Sequence, residues 1–149
     1  MTAPAPTVRS QWDQIAAIAD EIERVCELRR EGRLYQLGGG GSVHHKRFRF
    51  SLPTSEYAEG QIPRPGWQLD VTDNLEIVVG HDVNPEDYDG SWRVASEDVA
   101  RMLQGLASGP LAELLQINGG GSTPEVVGSY IQQHVRIQYR YFLPIPEAT

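Results

Sequence analysis

Apolar residues recur along this chain with two periods, and the periods are segregated into blocks. Trp12, Ile15, Ala19, Ile22 and Cys26 follow 3-4-3-4 spacing behind a Ser10/Asp13 cap, which predicts a helix over 10–31 closed by Gly32. Period two then takes over. Over Val43–Leu52, His44, Lys46, Phe48, Phe50 and Leu52 fall on one face, and Val43, His45, Arg47 and Arg49 on the other. Arg33–Leu37 is a short strand candidate, expected to pair with that run as a hairpin. Trp67–Val71 and Leu75–Val79 alternate on either side of Thr72-Asp73-Asn74, which reads as the turn of a second hairpin. Ser91–Ala95 adds a short strand.

Helical signals return after that. Ser96 is expected to cap a helix over Glu97–Leu106, and Pro110 to open one ending near Ile117. Ser122 and Glu125 are spaced as a capping box for a third, reaching Gln133. Val135, Ile137, Tyr139 and Tyr141 then alternate in a last strand, stopped by Pro144 and Pro146. This order predicts an α+β fold: an N-terminal helix, a mostly antiparallel sheet of about four to six strands, two to three helices on one side, and a C-terminal strand returning to the sheet. At 149 residues the expectation is one domain over 10–149, behind a disordered Ala/Pro/Thr-rich lead over 1–9.

One phrase occurs twice. Leu34-Tyr35-Gln36-Leu37 runs into four glycines and Ser42, and Leu114-Leu115-Gln116-Ile117-Asn118 runs into three glycines and Ser122. Glycine runs are costly to order and mark a flexible connection, a linker, or backbone lying against a ligand. Gly-Gly-Gly-Gly-Ser is also the composition of engineered linkers. As a ligand site, Gly120, Gly121 and Ser122 would offer backbone amides to a phosphate, although the P-loop lysine and the GxGxxG spacing are absent.

Charge is distributed unevenly. Residues 55–99 hold eleven acidic residues and two arginines, a net −9, against +2 for the rest of the chain. Twelve of the thirteen cations are arginine, but a chain of net charge −7 is a poor general nucleic-acid binder, because neutralising phosphates needs clustered cations. The sequence contains neither a secretion signal nor an apolar run of membrane-spanning length, and its single cysteine, Cys26, lies on the predicted helix stripe. A cytoplasmic location is expected.

Two sets of residues are candidates for function. Asp82, Glu86, Asp87 and Asp89, with Tyr88 and Trp92 as aromatic anchors, would bind a basic protein partner. That points to a small non-enzymatic interaction module, in the manner of inhibitors, immunity proteins and chaperones. The second set is Arg47, Arg49, Arg136 and Arg140 with His44 and His134. If their strands were neighbours, these would form a patch for a nucleotide or phosphate, or the acid–base pair of a metal-independent phosphodiesterase. Neither reading requires a cofactor. Asp82, Asn84 and Glu86 resemble the start of a calcium loop. Asp87 stands where such a loop needs glycine and Arg93 where it needs glutamate, so no metal site is expected.

Overall fold

The computed structural model describes the backbone of residues 10–35, 43–57 and 68–144, with side chains apart from those of 32–35 and 144. The predicted lead over 1–9 and the first glycine run lie outside the described residues. Helix α1 spans Gln11–Val25, and its capping box joins Ser10 and Asp13 reciprocally. The inward stripe is Ile15, Ile18, Ala19 and Ile22, while Trp12 is exposed. The helix is shorter than predicted. Cys26 is the extended C-cap, and Arg29 turns its guanidinium back onto the carbonyl oxygens of Glu23, Cys26 and Leu28. Burial, above all, pushes the Cys26 thiol pKa up, so it is a poor nucleophile.

That arginine clamp begins β1 (Arg29–Tyr35) directly behind the helix. The expected first hairpin is therefore absent. β1 runs parallel to β2 (Arg47–Phe50), with Arg29 beside Arg47 and Arg30 beside Phe48. β2 is shorter than the predicted 43–52 strand. A turn at His45–Lys46 precedes it, and Pro53 follows, where a ladder donor is missing. Pairing resumes in β3 (Thr54–Tyr57) on the same side of β4. Phe50 stands opposite Ile77 and Thr54 opposite Asn74, four steps against three, so one extra residue bulges out between them.

The second predicted hairpin is also absent. Gln68–Asp82 is one continuous strand, β4, at the centre of the sheet. Thr72-Asp73-Asn74 is not a turn because Asp73, fully buried, keeps the inward period. Its carboxylate accepts hydrogen bonds from Ser55 (2.6 Å) and Tyr141 (3.0 Å), and Ser55 in turn accepts one from Gln11 (2.7 Å). Burial, then the charge of Asp73, raises the Tyr141 pKa and keeps it a donor.

Helix α2 runs Tyr88–Ser108, so Ser91–Ala95 is helical and Ser96 is no cap. Asp87 caps it by accepting the Gly90 amide (2.9 Å), and the inward spacing Ala95, Val99, Met102, Leu106 extends the period back past Ser96. Helix α3 (Pro110–Leu115) follows, with Pro110 in its first turn as expected. The predicted third helix is instead β5 (Asn118–Val127), antiparallel to β6 (Tyr130–Pro144). Gly128 takes the positive φ of +61° that a two-residue hairpin turn wants at its first position. Pro124 is tolerated because β5 ends the sheet.

The sheet order is β1-β2-β4-β6-β5, with β3 extending β2 along β4. One pair is parallel and the others antiparallel, and the last strand returns to β4 along its whole length. A single core joins α1, α2 and α3 to the inward residues Phe48, Phe50, Leu75, Ile77, Val135, Ile137 and Tyr139. Among the described residues no helix is long and apolar enough to cross a membrane.

Candidate interaction surface

The segment linking β4 to α2 carries the acidic candidates, and it is a built loop. Val83 donates to the Ser129 carbonyl (2.8 Å), which ties the loop to the β5–β6 turn. The Asn84 side chain accepts the Glu86 amide (3.0 Å), the Asp87 amide donates to the Asn84 carbonyl (3.0 Å), and the Ser91 hydroxyl accepts the Asn84 amide (2.8 Å). This holds Asp82, Glu86 and Asp89 outward, and none of the three is in an ion pair among the described residues. Asp87 has a structural duty as the α2 cap.

Tyr88 and Trp92, one turn apart on α2, lie beside this loop and are 66% and 44% exposed. They line a cleft of about 370 Å³ with Val83, Pro124, Val126 and Ile131. By register, Pro124 and Val126 face Gln133 and Ile131 on the inward side of the sheet, yet Val126 is 72% exposed. The cleft is thus an apolar continuation of the core that the described residues leave uncovered, and two of its wall residues, Val83 and Tyr88, belong to the acidic segment.

A second cavity, of about 520 Å³, adjoins the same loop and shares Val83 with the first. His45, Lys46, His81, Asp82, Asn84 and Ser91 contribute to its wall. Behind it lies a polar pair that the sequence does not announce, because Thr72-Asp73-Asn74 reads as a turn and hides the strand position of His81. His81 holds the inward position that follows Ile77 and Val79, and its Nε2 donates to Asp98 Oδ2 at 2.7 Å, both residues being buried. Lys46 Nζ (3.6 Å) and Arg101 (3.4 Å) also face Asp98. Burial lowers the His81 pKa, and this outweighs the opposing pull of the Asp98 carboxylate. Among the described residues its Nδ1 has no hydrogen-bond partner. The His45 ring meets His81 edge-on at 5.6 Å and accepts the Asp82 amide (2.9 Å). Gly80 makes this arrangement possible: a Cβ there would lie 2.2 Å from the Val43 carbonyl oxygen, so only glycine lets the turn before β2 settle on β4.

The basic candidates occupy the opposite face of the sheet. Their strands are not neighbours, because β4 runs between β2 and β6. Arg49, Val78, His134 and Thr123 form one cross-sheet row, and Glu76 and Arg136 stand opposite each other in the next. Carboxylates are interleaved with the cations. His134 pairs with Glu76 (3.3 Å) and Glu125 (2.8 Å), and His44 with Glu31 (2.7 Å). Arg140 grips Asp70 through two bonds of 2.8 and 2.5 Å and thereby holds the Asp70 pKa down. Arg47 reaches the Arg30 carbonyl. Gly120 is the extra residue of a bulge and Gly121 has φ +98°, while Ser122 pairs with Val135 rather than capping a helix. Arg136 lies against both glycines, and it shares a cavity of about 530 Å³ with Gly120 and Glu76. Among the described residues no group of three or more His, Cys, Asp or Glu side chains could hold a metal ion.

No protein-family model matches this chain, and no curated protein matches it either.

Proposed function

We propose that the protein is a small non-catalytic interaction module that binds a basic partner protein through the surface formed by the 82–89 loop, the first turns of α2 and β5. One observation carries the reading: the apolar cleft of Tyr88, Trp92, Pro124 and Val126 shares its wall, through Val83 and Tyr88, with the segment whose exposed carboxylates Asp82, Glu86 and Asp89 are in no ion pair among the described residues. An apolar centre with a charged rim is the anatomy of a protein-binding patch. The aromatic anchors supply affinity, and the rim steers an oppositely charged partner. A cytoplasmic setting suits this reading, with Cys26 as the chain's single thiol.

The test uses an acetylated hexapeptide alternating lysine with phenylalanine and valine, followed by tryptophan fluorescence, with Trp92→Phe identifying the responding ring. Reversing Asp82, Glu86 and Asp89 to lysine, with the Asp87 cap left intact, is expected to slow association by about tenfold or more at low salt and to flatten its salt dependence. Unchanged association with intact folding would sink the reading.

A second reading, a nucleotide- or phosphate-binding protein, rests on Arg136 lying against Gly120 and Gly121. Glu76 in the same cavity opposes an anion, which places this reading second. It predicts that inorganic phosphate raises the melting temperature and that Arg136→Ala abolishes the rise. No rise in the wild type would remove it.

A further inference from the structure

We propose that the partner engages this surface by strand addition. An extended segment would pair with the open side of β5 as the next strand of the sheet, insert an apolar side chain into the Tyr88–Trp92–Val126 cleft, and lay basic side chains against the 82–89 loop. This rests on the interaction reading above and adds the conformation of the partner to it. Three features combine. β5 is the end of the sheet, so one of its sides has no neighbouring strand among the described residues. The helix layer nonetheless stands over that border, because Tyr88 and Trp92 share the cleft with Pro124 and Val126 on the inward face of β5. A further strand would lie about 4.8 Å beyond β5 and turn alternate side chains into the same space. The adjoining loop carries the exposed Asp82, Glu86 and Asp89, which favours a segment whose remaining side chains are basic.

The backbone chemistry of the edge narrows the geometry. A proline in a sheet sits with its missing N–H directed away from the ladder, so Pro124, paired with Gln133, directs its nitrogen to the open side. Backbone groups alternate along a strand of an antiparallel pair, so Val126 presents both its N–H and its C=O to that side, and Pro124 its C=O alone. The bulge at Gly120 disturbs the earlier part of the edge. The incoming segment is therefore short and centred on Val126, where the apolar cleft also lies. Main-chain bonds from an edge with pockets for alternate side chains are the physics of β-augmentation.

The experiment compares the alternating lysine hexapeptide with two versions N-methylated on alternate residues, each blocking one edge of an extended peptide. The wild-type protein is used throughout, with Trp92 fluorescence and amide hydrogen exchange as readouts. Strand addition predicts that the parent binds and slows exchange at the Val126 amide. It also predicts that one N-methylated version binds at least about tenfold more weakly, while the other matches the parent. Equal binding by both N-methylated versions, without protection at Val126, overturns strand addition and leaves the cleft reading standing. No binding by the parent peptide overturns both. A glutamate-for-lysine peptide that binds as well as the parent overturns the basic character of the segment.

Discussion

Replacing His81 by leucine is expected to destabilise the protein by about 3–5 kcal/mol, because it leaves the Asp98 carboxylate buried without its closest donor. The volume of the site is nearly kept, so the loss is electrostatic rather than a cavity effect. Lys46 and Arg101 remain, but at 3.6 and 3.4 Å they are weaker partners. A scanning calorimeter should register a fall on the order of ten degrees in melting temperature. Adding Asp98→Leu should restore a large part of it, since removing both members of a buried polar pair is far less costly than removing one. Equal melting of the single and double variants would refute this account.

The same pair sets a pH dependence. Because the folded His81 pKa lies below its ordinary 6.5, the unfolded chain binds more protons over the interval between the two values. Stability from this group is complete above about pH 6.5 and is lost as pH falls from there towards the folded value. The double leucine variant should lack that component, so its melting temperature should fall less than that of the wild type between pH 8 and pH 5.

Phe50→Ala is expected to cost about 3–5 kcal/mol, and Leu52→Ala almost nothing. Both residues belong to one face of the alternating run, so periodicity alone predicts similar losses. The structure separates them. Phe50 is fully buried against Phe48, with ring centroids 5.6 Å apart, whereas Leu52 lies in the bulge before Pro53 and is 66% exposed. β2 contributes only Phe48 and Phe50 to the core, so loss of either ring loosens the link between β1 and β4. Denaturant melts of the two variants decide the matter, and comparable losses would show that the bulge does not exist in solution.

The fold class was legible because period and block order are local signals. The capped first helix, the inward phenylalanines of β2 and the alternation from Val135 to Tyr141 all appear where the sequence places them. Pairing was not legible, because it depends on distant partners. Asp73 looks like a turn residue until Ser55 and Tyr141 are known to satisfy its carboxylate. Ser122 and Glu125 look like a capping box until β6 supplies a ladder for that segment. A usable signal was present nearby: Gly128-Ser129 between Val126-Val127 and Tyr130-Ile131 is a two-residue hairpin turn. At the candidate surface, Tyr88 and Trp92 could be named as aromatic residues within an acidic segment, but their cleft wall on β5 could not. The His81–Asp98 pair was missed with β4 itself, since a strand broken at Asp73 hides the inward position of His81.

β6 is the last of the described strands in chain order, yet it lies between β4 and β5 in the sheet. Gln68 must find Pro144, and Asp82 must find Tyr130, with both helices and β5 laid down in between. Its pairing with β5 across a tight turn is local and fast, whereas its pairing with β4 closes a long loop. A ribosome that has released everything through α3 has therefore released a fifteen-residue strand with one whole border unpaired. Such a border is a template for any other nascent chain. Until β6 emerges, that border is open to pairing with another copy of the same chain, so crowding on the ribosome works against this fold.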